Sequence, residues 1–242
     1  MGQRFDRVSM WLLGLMAGGM VVGAVALVPV ELRPYLDQLA DHKALFERYR
    51  ARAGDDRPFV SLNAWKMELD RCANLSPALI GGSEGGGPEM AEILDVCGAM
   101  AEAAVAGSPN FAYGWYIAGG AAMRTGKPAE AYRRYLRSAA TNPAEIWIAS
   151  LRFQVFDRPG VQLPADVAAA ADRDVALLLA NGASLERVAR RYVDDPAFRK
   201  RLPAIAGALS ADRQADFVGR VRQLMARDRA RPQAAPAMPS PG

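Results

Sequence analysis

The chain has 242 residues, of which 51% are hydrophobic and 23% charged, and it carries a net charge of +4. This composition is too apolar for a wholly disordered protein, and the length allows only one or two domains. Two cysteines and one histidine, His42, leave almost no material for a zinc site or a Ser-His-Asp triad. We therefore expect no metal, no cofactor and no enzymatic activity.

An apolar segment near the N-terminus is the first local signal. From Val8 to Val30 the chain has 23 consecutive residues without a formal charge. At about 1.5 Å per residue, a helix of this length crosses the roughly 30 Å hydrocarbon core of a bilayer. Arg4 and Arg7 precede the segment, whereas acidic residues predominate just after it. The positive-inside rule therefore predicts a transmembrane anchor over 8–30, with residues 1–7 in the cytoplasm and the bulk of the chain outside.

A cleavable signal peptide is the competing interpretation of this segment. Ala24-Val25-Ala26 has the composition of a cleavage site. The apolar run continues to Val30, beyond the usual length of a signal-peptide core, which favours an uncleaved anchor. Either way the rest of the chain is exported, and its richness in Ala and Arg is typical of bacteria. The predicted location is a bacterial inner membrane, crossed once, with the main domain in the periplasm.

Two pairs of small residues, Gly14 with Gly18 and Gly19 with Gly23, lie within the apolar segment. Glycines four residues apart let two helix backbones approach closely and can drive association in lipid. Glycine is also frequent in transmembrane helices that have no such role. The pattern therefore predicts helix packing in the membrane, with oligomerisation as its consequence, while the second explanation stays open.

The exported part is predicted to be helical throughout, because no segment shows the alternation and β-branched enrichment of strands. Residues 31–60 are interpreted as a charged juxtamembrane helix or linker that ends in the turn Gly54-Asp55-Asp56. Helical hairpins are expected over 61–160, and a basic helical segment over 161–231. Residues 232–242 are uncharged and rich in Pro and Ala, a composition typical of a disordered tail.

Two helices begin the exported domain. Ser61 is expected to cap a helix that runs to about Cys72, and Pro88 opens a second helix that ends near Ala106. The glycine-rich loop over 80–87 lacks the Gly-Lys-Ser/Thr ending of a phosphate-binding loop, so we interpret it as a connector. The first helix is expected to have one apolar face, formed by Leu62, Trp65, Leu69 and Cys72. The residues of the second helix that are expected to face inward are Ile93, Cys97, Met100 and Ala104.

The 34 residues from Ala112 to Glu145 contain a helix, a glycine turn, a second helix and a proline stop. This segment resembles the tetratricopeptide repeat, whose pattern is W-x2-L-G-x2-Y, then A-x3-F, then P. Ala118 and Ala122 replace the leucine and the tyrosine of that pattern. Trp115, Gly119 and Pro143 match it, and Ala131 with the aromatic Tyr135 takes the place of the A-x3-F element. Gly126 forms the turn between the two helices. Small residues at such places let antiparallel helices cross closely, while the aromatic residues fill the space around them.

One repeat cannot bury its own faces, so neighbouring repeats are expected. Residues 61–73 and 88–106 are similar to the two helices of a degenerate earlier repeat. Ile146–Phe156 is similar to the first helix of a third repeat, but Asp157–Gly160 interrupts it without a clear partner helix. The resemblance implies a solenoid of helical hairpins whose concave surface holds other proteins.

The two cysteines acquire a role from this arrangement. Cys72 and Cys97 would lie on facing helices of the first hairpin, outside the reducing cytoplasm. A disulfide between them would enclose 24 residues and stabilise the fold by about 3 kcal/mol in the chain-entropy model. Two buried thiols are the alternative interpretation. Without a C-x-x-C pair, no redox catalysis is expected.

The C-terminal segment is predicted to contain four helices. The first spans Ala165–Ala180, Ser184 caps the second, a short helix follows Pro196, and Ser210 caps the last. The residues expected to face inward in the second and last of these helices are Leu185, Val188, Ala189, Tyr192, Val193, Phe217, Val218, Val221, Leu224 and Met225. A groove for a partner helix is the alternative interpretation of these apolar stripes.

Positive charge is concentrated in this segment. From Ser184 to Arg231 there are twelve Lys or Arg and six Asp or Glu residues, an excess of +6. The basic patch comprises Arg187, Arg190, Arg191, Arg199, Lys200 and Arg201. These residues are interpreted either as solvated helix faces or as a surface for anionic headgroups, an acidic polymer or an acidic protein. Nucleic acid is not expected as a partner of an exported domain.

These features predict a membrane-anchored periplasmic scaffold that mediates protein–protein interaction. Because of the repeat resemblance, its expected partners are other envelope or inner-membrane proteins in a translocation, secretion or cytochrome c maturation complex. The alternative function is an accessory module for the binding or assembly of envelope polysaccharide, and it rests on the basic C-terminal helices alone.

Overall fold

The computed structural model of the chain describes residues 2–36, 42–51, 59–75 and 88–230. Within these ranges the chain forms eleven α-helices and no β-strand, so the predicted all-α class is confirmed. The helices are α1 (Gly2–Leu36), α2 (His42–Ala51), α3 (Leu62–Leu75), α4 (Pro88–Gly107), α5 (Ala112–Arg124), α6 (Pro128–Thr141), α7 (Ile146–Val155), α8 (Ala165–Ala180), α9 (Leu185–Asp194), α10 (Pro196–Ala206) and α11 (Ala211–Ala230). The chain divides into two compact units, Met1–Ala131 and Tyr132–Gly242.

The first helix contains the predicted apolar segment. Its residues Ser9–Leu36 are long and apolar enough to cross a membrane, and none of its most apolar stretch is buried in the protein. The helix continues past Val30 and contains both Pro29 and Pro34. Residues 31–36, assigned from the sequence to the juxtamembrane segment, are therefore part of α1.

Helix α2 lies within the predicted juxtamembrane segment and spans His42–Ala51. The Tyr49 hydroxyl of α2 donates a hydrogen bond of 2.6 Å to the buried carboxylate of Glu68 in α3. This contact joins α2 to α3. The predicted turn at 54–56 lies outside the described residues, and so do the side chain of His42, the glycine-rich loop at 80–87 and the tail at 232–242.

The third helix begins as the sequence predicts. The Ala64 N–H donates a hydrogen bond of 3.0 Å to the Ser61 hydroxyl, which confirms the cap. Trp65, Leu69 and Cys72 are buried, but Leu62 is 43% exposed. Leu62 is more exposed than the other three residues of this face because it lies in the first turn of α3.

Helices α4 and α5 approach closely because two glycines lie between them. A Cβ atom added to Gly114 would lie 2.7 Å from Cγ1 of Val105, and one added to Gly98 would lie 3.2 Å from Cβ of Ala121. Pro88 opens α4 at its first residue, as expected. Ile93, Cys97 and Ala104 are buried as predicted, whereas Met100 is only half-buried. Among residues of α5, Tyr116, Ile117 and Ala118 are completely buried. Helices α3, α4 and α5 thus form the core of the first unit.

The second unit is built around α7 to α11. Helix α7 packs on α8, although the break after Val155 concealed this partner in the sequence. The chain covers the gap between them with residues 156–164, in which Gly160 has a φ of +75°. The core of this unit contains Ala149, Phe153, Val175, Leu178, Leu179, Leu185, Val188, Ala189, Phe198, Leu202, Ile205, Phe217, Val221 and Leu224.

Two details of the last helices differ from the predictions. The Ser184 side chain makes no capping hydrogen bond at the start of α9. On α11, Val218 and Met225 are exposed, because the helix buries only the stripe that contains Phe217, Val221 and Leu224. Each exposed residue lies one position beyond a buried one, about 100° further around the helix.

Candidate functional site

A cavity of about 360 Å³ opens on the second unit. Residues 157–163 form one wall, and α8, α9 and α10 contribute the others. The apolar part of the lining includes Val161, Leu163 and Phe198. Charged side chains adjoin this apolar surface, so the cavity offers contacts to a group that has both an apolar part and hydrogen-bonding atoms.

Asp157 is the centre of the charged part of the cavity. Its buried carboxylate lies 3.0–3.1 Å from two guanidinium nitrogens of Arg201 and 3.9 Å from Nη2 of Arg191. Arg201 Nε also donates a hydrogen bond to Asp172 of α8. Burial alone would lower the pKa of Arg201, but Asp157 and Asp172 outweigh burial and raise it. Arg201 therefore stays charged and holds the 157–163 wall against α8 and α10.

Asp195 joins α9 to α10 at the edge of the cavity. Its carboxylate accepts hydrogen bonds from the N–H groups of Ala197 and Phe198, so it is the N-cap of α10. Arg191 Nε donates to the same carboxylate at 2.9 Å. Burial would raise the pKa of Asp195, but the two N–H donors and Arg191 together hold it below its usual range. Asp195 is therefore ionised, and its role is to cap α10 and to bind Arg191.

Two guanidinium groups lie within cation–π distance of the Phe198 ring. The Cζ atoms of Arg191 and Arg201 are 5.5 Å and 5.6 Å from the ring centroid. Such cation–π contacts fix the guanidinium planes against the aromatic surface. Phe198, Arg191 and Arg201 all line the cavity. Its lining thus combines an aromatic side chain with two guanidinium groups that already have carboxylate partners.

The basic patch is largely paired within the protein. Arg191 and Arg201 lie together at the cavity, and Arg190 pairs with Asp228 at 2.6 Å. Arg199 donates hydrogen bonds to the carbonyl oxygens of Tyr192 and Val193 at the end of α9. The remaining two patch residues, Arg187 and Lys200, are exposed.

The sequence pattern did not predict a buried ionic cluster that contains Arg152 of α7. Arg152 is fully buried, and its Nε and Nη2 lie 2.8 Å and 2.5 Å from the two carboxylate oxygens of Asp174. The same guanidinium group donates to the carbonyl oxygens of Ser138 and Asn142. The sequence does contain a signal for this cluster, namely a single arginine within the apolar run of α7. An arginine in such a position is buried only if it is paired with another polar or charged group.

Tyr135 belongs to this cluster as well as to the repeat pattern. Its hydroxyl donates a hydrogen bond of 2.9 Å to Asp174, and its ring lies 5.0 Å from that of Phe156. Burial, followed by the negative charge of Asp174, raises the pKa of Tyr135 well above its ordinary value. Burial likewise raises the pKa of Tyr113 and Tyr116 in the first unit. All three tyrosines are therefore neutral hydrogen-bonding groups at physiological pH.

The other repeat-packing residues occupy helix and turn positions. Trp115 is half-buried and donates a hydrogen bond of 2.8 Å from Nε1 to the carbonyl oxygen of Pro109. Gly119 and Ala131 are buried. Gly126 has a φ of +75° in the turn after α5, a conformation that favours glycine. Pro143 follows the end of α6 and is exposed.

Cys72 and Cys97 form a disulfide, and their Cα atoms are 5.6 Å apart. The predicted pairing is confirmed, and it joins α3 to α4. Among the described residues, nothing lies within 4 Å of a Cβ built on any of the four glycines of α1, which are Gly14, Gly18, Gly19 and Gly23.

The chain matches no protein-family model, and no curated protein or solved structure is similar enough to count as a match. Among the residues that the structure describes, no group of three or more His, Cys, Asp or Glu side chains could hold a metal ion.

Proposed function

We propose that this protein is a membrane-anchored scaffold of the bacterial cell envelope that holds other proteins through its exported helical domain. The observation that carries the proposal is the joint between α1 and α3. The Glu31 carboxylate of α1 accepts hydrogen bonds from the N–H groups of Val60 and Ser61 at 2.5 Å and 3.1 Å. An apolar helix of membrane-spanning length is thus attached by side-chain contacts, and not by a linker alone, to a helical domain.

The disulfide supports an exported location for this domain. Disulfides persist in oxidising compartments such as the periplasm and are rare in the cytoplasm. Together with Arg4 and Arg7 before the apolar segment, the Cys72–Cys97 bond favours a cytoplasmic N-terminus and a periplasmic domain. A reporter enzyme that is active only outside the cytoplasm, fused after residue 230, tests this orientation. Activity is expected, and an inactive, fully expressed fusion would overturn the orientation.

The arrangement of α3, α4 and α5 supports the resemblance to tetratricopeptide repeats. In such repeats the first helix of one hairpin packs on its own second helix and on the first helix of the next hairpin. Here α3 packs on both α4 and α5, and α4 packs on α5. We propose that the chain is a short, degenerate repeat protein whose partner belongs to a translocation, secretion or cytochrome c maturation complex.

The cavity of the second unit is the proposed contact site for the partner. Val161 is 37% exposed at its rim, although it is apolar. The polysaccharide alternative is less well supported, because Arg190, Arg191 and Arg201 already have carboxylate partners. A polyanion would have to compete with those carboxylates for the same guanidinium groups.

The test compares two variants of the full-length protein, Val161→Asp at the cavity and Val218→Asp on α11. Val218 is a matched control, because it is also an exposed valine, 43% exposed against 37% for Val161. After crosslinking in native membranes, the tagged wild type and Val218→Asp are expected to retain the same stoichiometric partner, and Val161→Asp to lose most of it. Recovery of the wild type as an uncrosslinked monomer would refute the scaffold. Equal recovery by both variants would refute the cavity as the contact site.

A further inference from the structure

The segment Phe59–Asn63 runs along the last turns of α1. Besides the bonds from Val60 and Ser61 to Glu31, Asn63 Nδ2 donates a hydrogen bond of 2.6 Å to the Tyr35 hydroxyl. Val60 and Ser61, which come just before α3, therefore lie beside Glu31, more than one turn before the end of α1 at Leu36.

The conformation of this segment is fixed by contacts with α3. Trp65 Nε1 donates a hydrogen bond of 2.9 Å to the carbonyl oxygen of Phe59. The rings of Phe59 and Trp65 are also packed edge to face, with centroids 5.1 Å apart. Val60, held between this contact and Glu31, has a defined position relative to α1.

Apolar side chains of this segment face away from the protein. Val60 is 68% exposed, and Leu62 is exposed as well. On the adjacent turns of α1, Leu32 and Leu36 are also exposed. These four residues add exposed apolar side chains of the helical domain and of the last turns of α1 to the exposed Leu, Val and Met side chains of the apolar run of α1.

The depth of Val60 in a bilayer follows from its bond to Glu31. The uncharged run from Val8 to Val30 measures about 34 Å as a helix, close to the thickness of the hydrocarbon core. Glu31, the first charged residue after that run, then lies at the boundary between hydrocarbon and headgroups. Because the Val60 N–H binds its carboxylate directly, Val60 lies at the same boundary.

We propose that Val60 and Leu62 insert into the headgroup boundary of the bilayer that α1 spans. The exported domain then has a second membrane contact beside its anchor, and its orientation on the membrane surface is fixed. Lipid is the occupant that continuity with the lipid-facing surface of α1 favours over a protein. The inference rests on the proposed anchoring by α1.

Spin labels on single introduced cysteines test this contact, because both native cysteines are bound in the disulfide. The variants are Val60→Cys, Leu62→Cys, Met16→Cys within the apolar run of α1, and Val218→Cys as an exposed control. Each full-length protein is labelled and reconstituted, without any other protein, into vesicles of phosphatidylethanolamine and phosphatidylglycerol. Collision rates are measured with oxygen, which concentrates in lipid, and with a water-soluble nickel chelate.

Oxygen accessibility is expected to exceed nickel accessibility at positions 16, 60 and 62, and the reverse is expected at position 218. If labels at 60 and 62 behave like the label at 218 while the label at 16 is in lipid, the second contact is refuted and the anchor stands. If the label at 16 is also in water, the anchor itself fails. Shielding of position 60 in native membranes but not in these vesicles would show that a protein covers it, which also refutes the lipid contact.

Discussion

The Asp174→Asn substitution is expected to destabilise the second unit more than any substitution of a surface charge. Arg152 is fully buried, so the substitution leaves a guanidinium cation inside the protein without its carboxylate partner. At an effective dielectric constant of about 20, two unit charges about 4 Å apart attract each other by about 4 kcal/mol. Removal of one partner from buried pairs typically costs about 3–5 kcal/mol. We expect a loss of this size in the free energy of unfolding of the unit.

The matched control is Asp228→Asn, which removes the partner of Arg190. That pair is also close, at 2.6 Å, but its side chains are 40% and 37% exposed. Water solvates both charges after the substitution, so the expected cost is below about 1 kcal/mol. The double variant Arg152→Met with Asp174→Leu removes both buried charges together. Because no unpaired charge remains, it is expected to recover most of the stability that Asp174→Asn loses.

Hydrogen exchange of the full-length protein in detergent, followed by mass spectrometry, measures these effects where they arise. Peptides from α7 and α8 report on the cluster, and peptides from α4 and α5 provide an internal reference in the other unit. Urea unfolding monitored by circular dichroism gives the corresponding free energies. If Asp174→Asn costs less than about 1 kcal/mol, or no more than Asp228→Asn, the buried pair does not hold α7 to α8 as argued here.

Three further effects are expected. Reduction of the Cys72–Cys97 disulfide should lower the stability of the first unit by about 3 kcal/mol, whereas unchanged exchange of α3 and α4 after reduction would contradict its role as a staple. Gly114→Ala should lower the free energy of unfolding, measured in urea, by about 1–3 kcal/mol because its Cβ would lie 2.7 Å from Val105. At Gly219 an added Cβ has no neighbour within 4 Å, so Gly219→Ala should instead stabilise α11 by about 0.5–1 kcal/mol. Burial raises the folded-state pKa of Tyr135. The contribution of Tyr135 to the free energy of unfolding is therefore fully present below pH 10 and is lost above it, by about 1.4 kcal/mol per pH unit. In urea unfolding from pH 9 to 11, stability should fall less steeply with pH in Tyr135→Phe than in the wild type, and equal slopes would refute the pKa shift.

The helices could be predicted from the sequence because their ends are local events. Pro88 begins α4, Gly126 takes a positive φ after α5, and Pro196 follows the cap of α10. Each of these residues acts through its own backbone geometry or hydrogen-bonding capacity, which is independent of tertiary contacts. The apolar length of α1 is likewise a property of the segment itself.

The polar clusters could not be predicted, because their members are distant in sequence. Arg152 and Asp174 are 22 residues apart, and Arg201 and Asp157 are 44 residues apart. Helical periodicity tells which residues share a face, but it does not tell which two faces meet. The errors at Val218 and Met225 have the same origin, since the width of the buried stripe on α11 depends on the helices beneath it.

The basic C-terminal segment shows how tertiary pairing changes a conclusion drawn from charge. Its excess of +6 over residues 184–231 omits Asp157 and Asp172, which lie outside that range and pair with Arg201 inside the cavity. Those carboxylates neutralise the charge of Arg201, whereas Arg187 and Lys200 of the basic patch remain exposed. At the rim of the cavity Val161 is an exposed apolar residue, whereas the Phe198 side chain is buried. The partner contact that we propose at this cavity therefore depends on the apolar side chain of Val161 and on hydrogen bonds to groups whose charges are already paired.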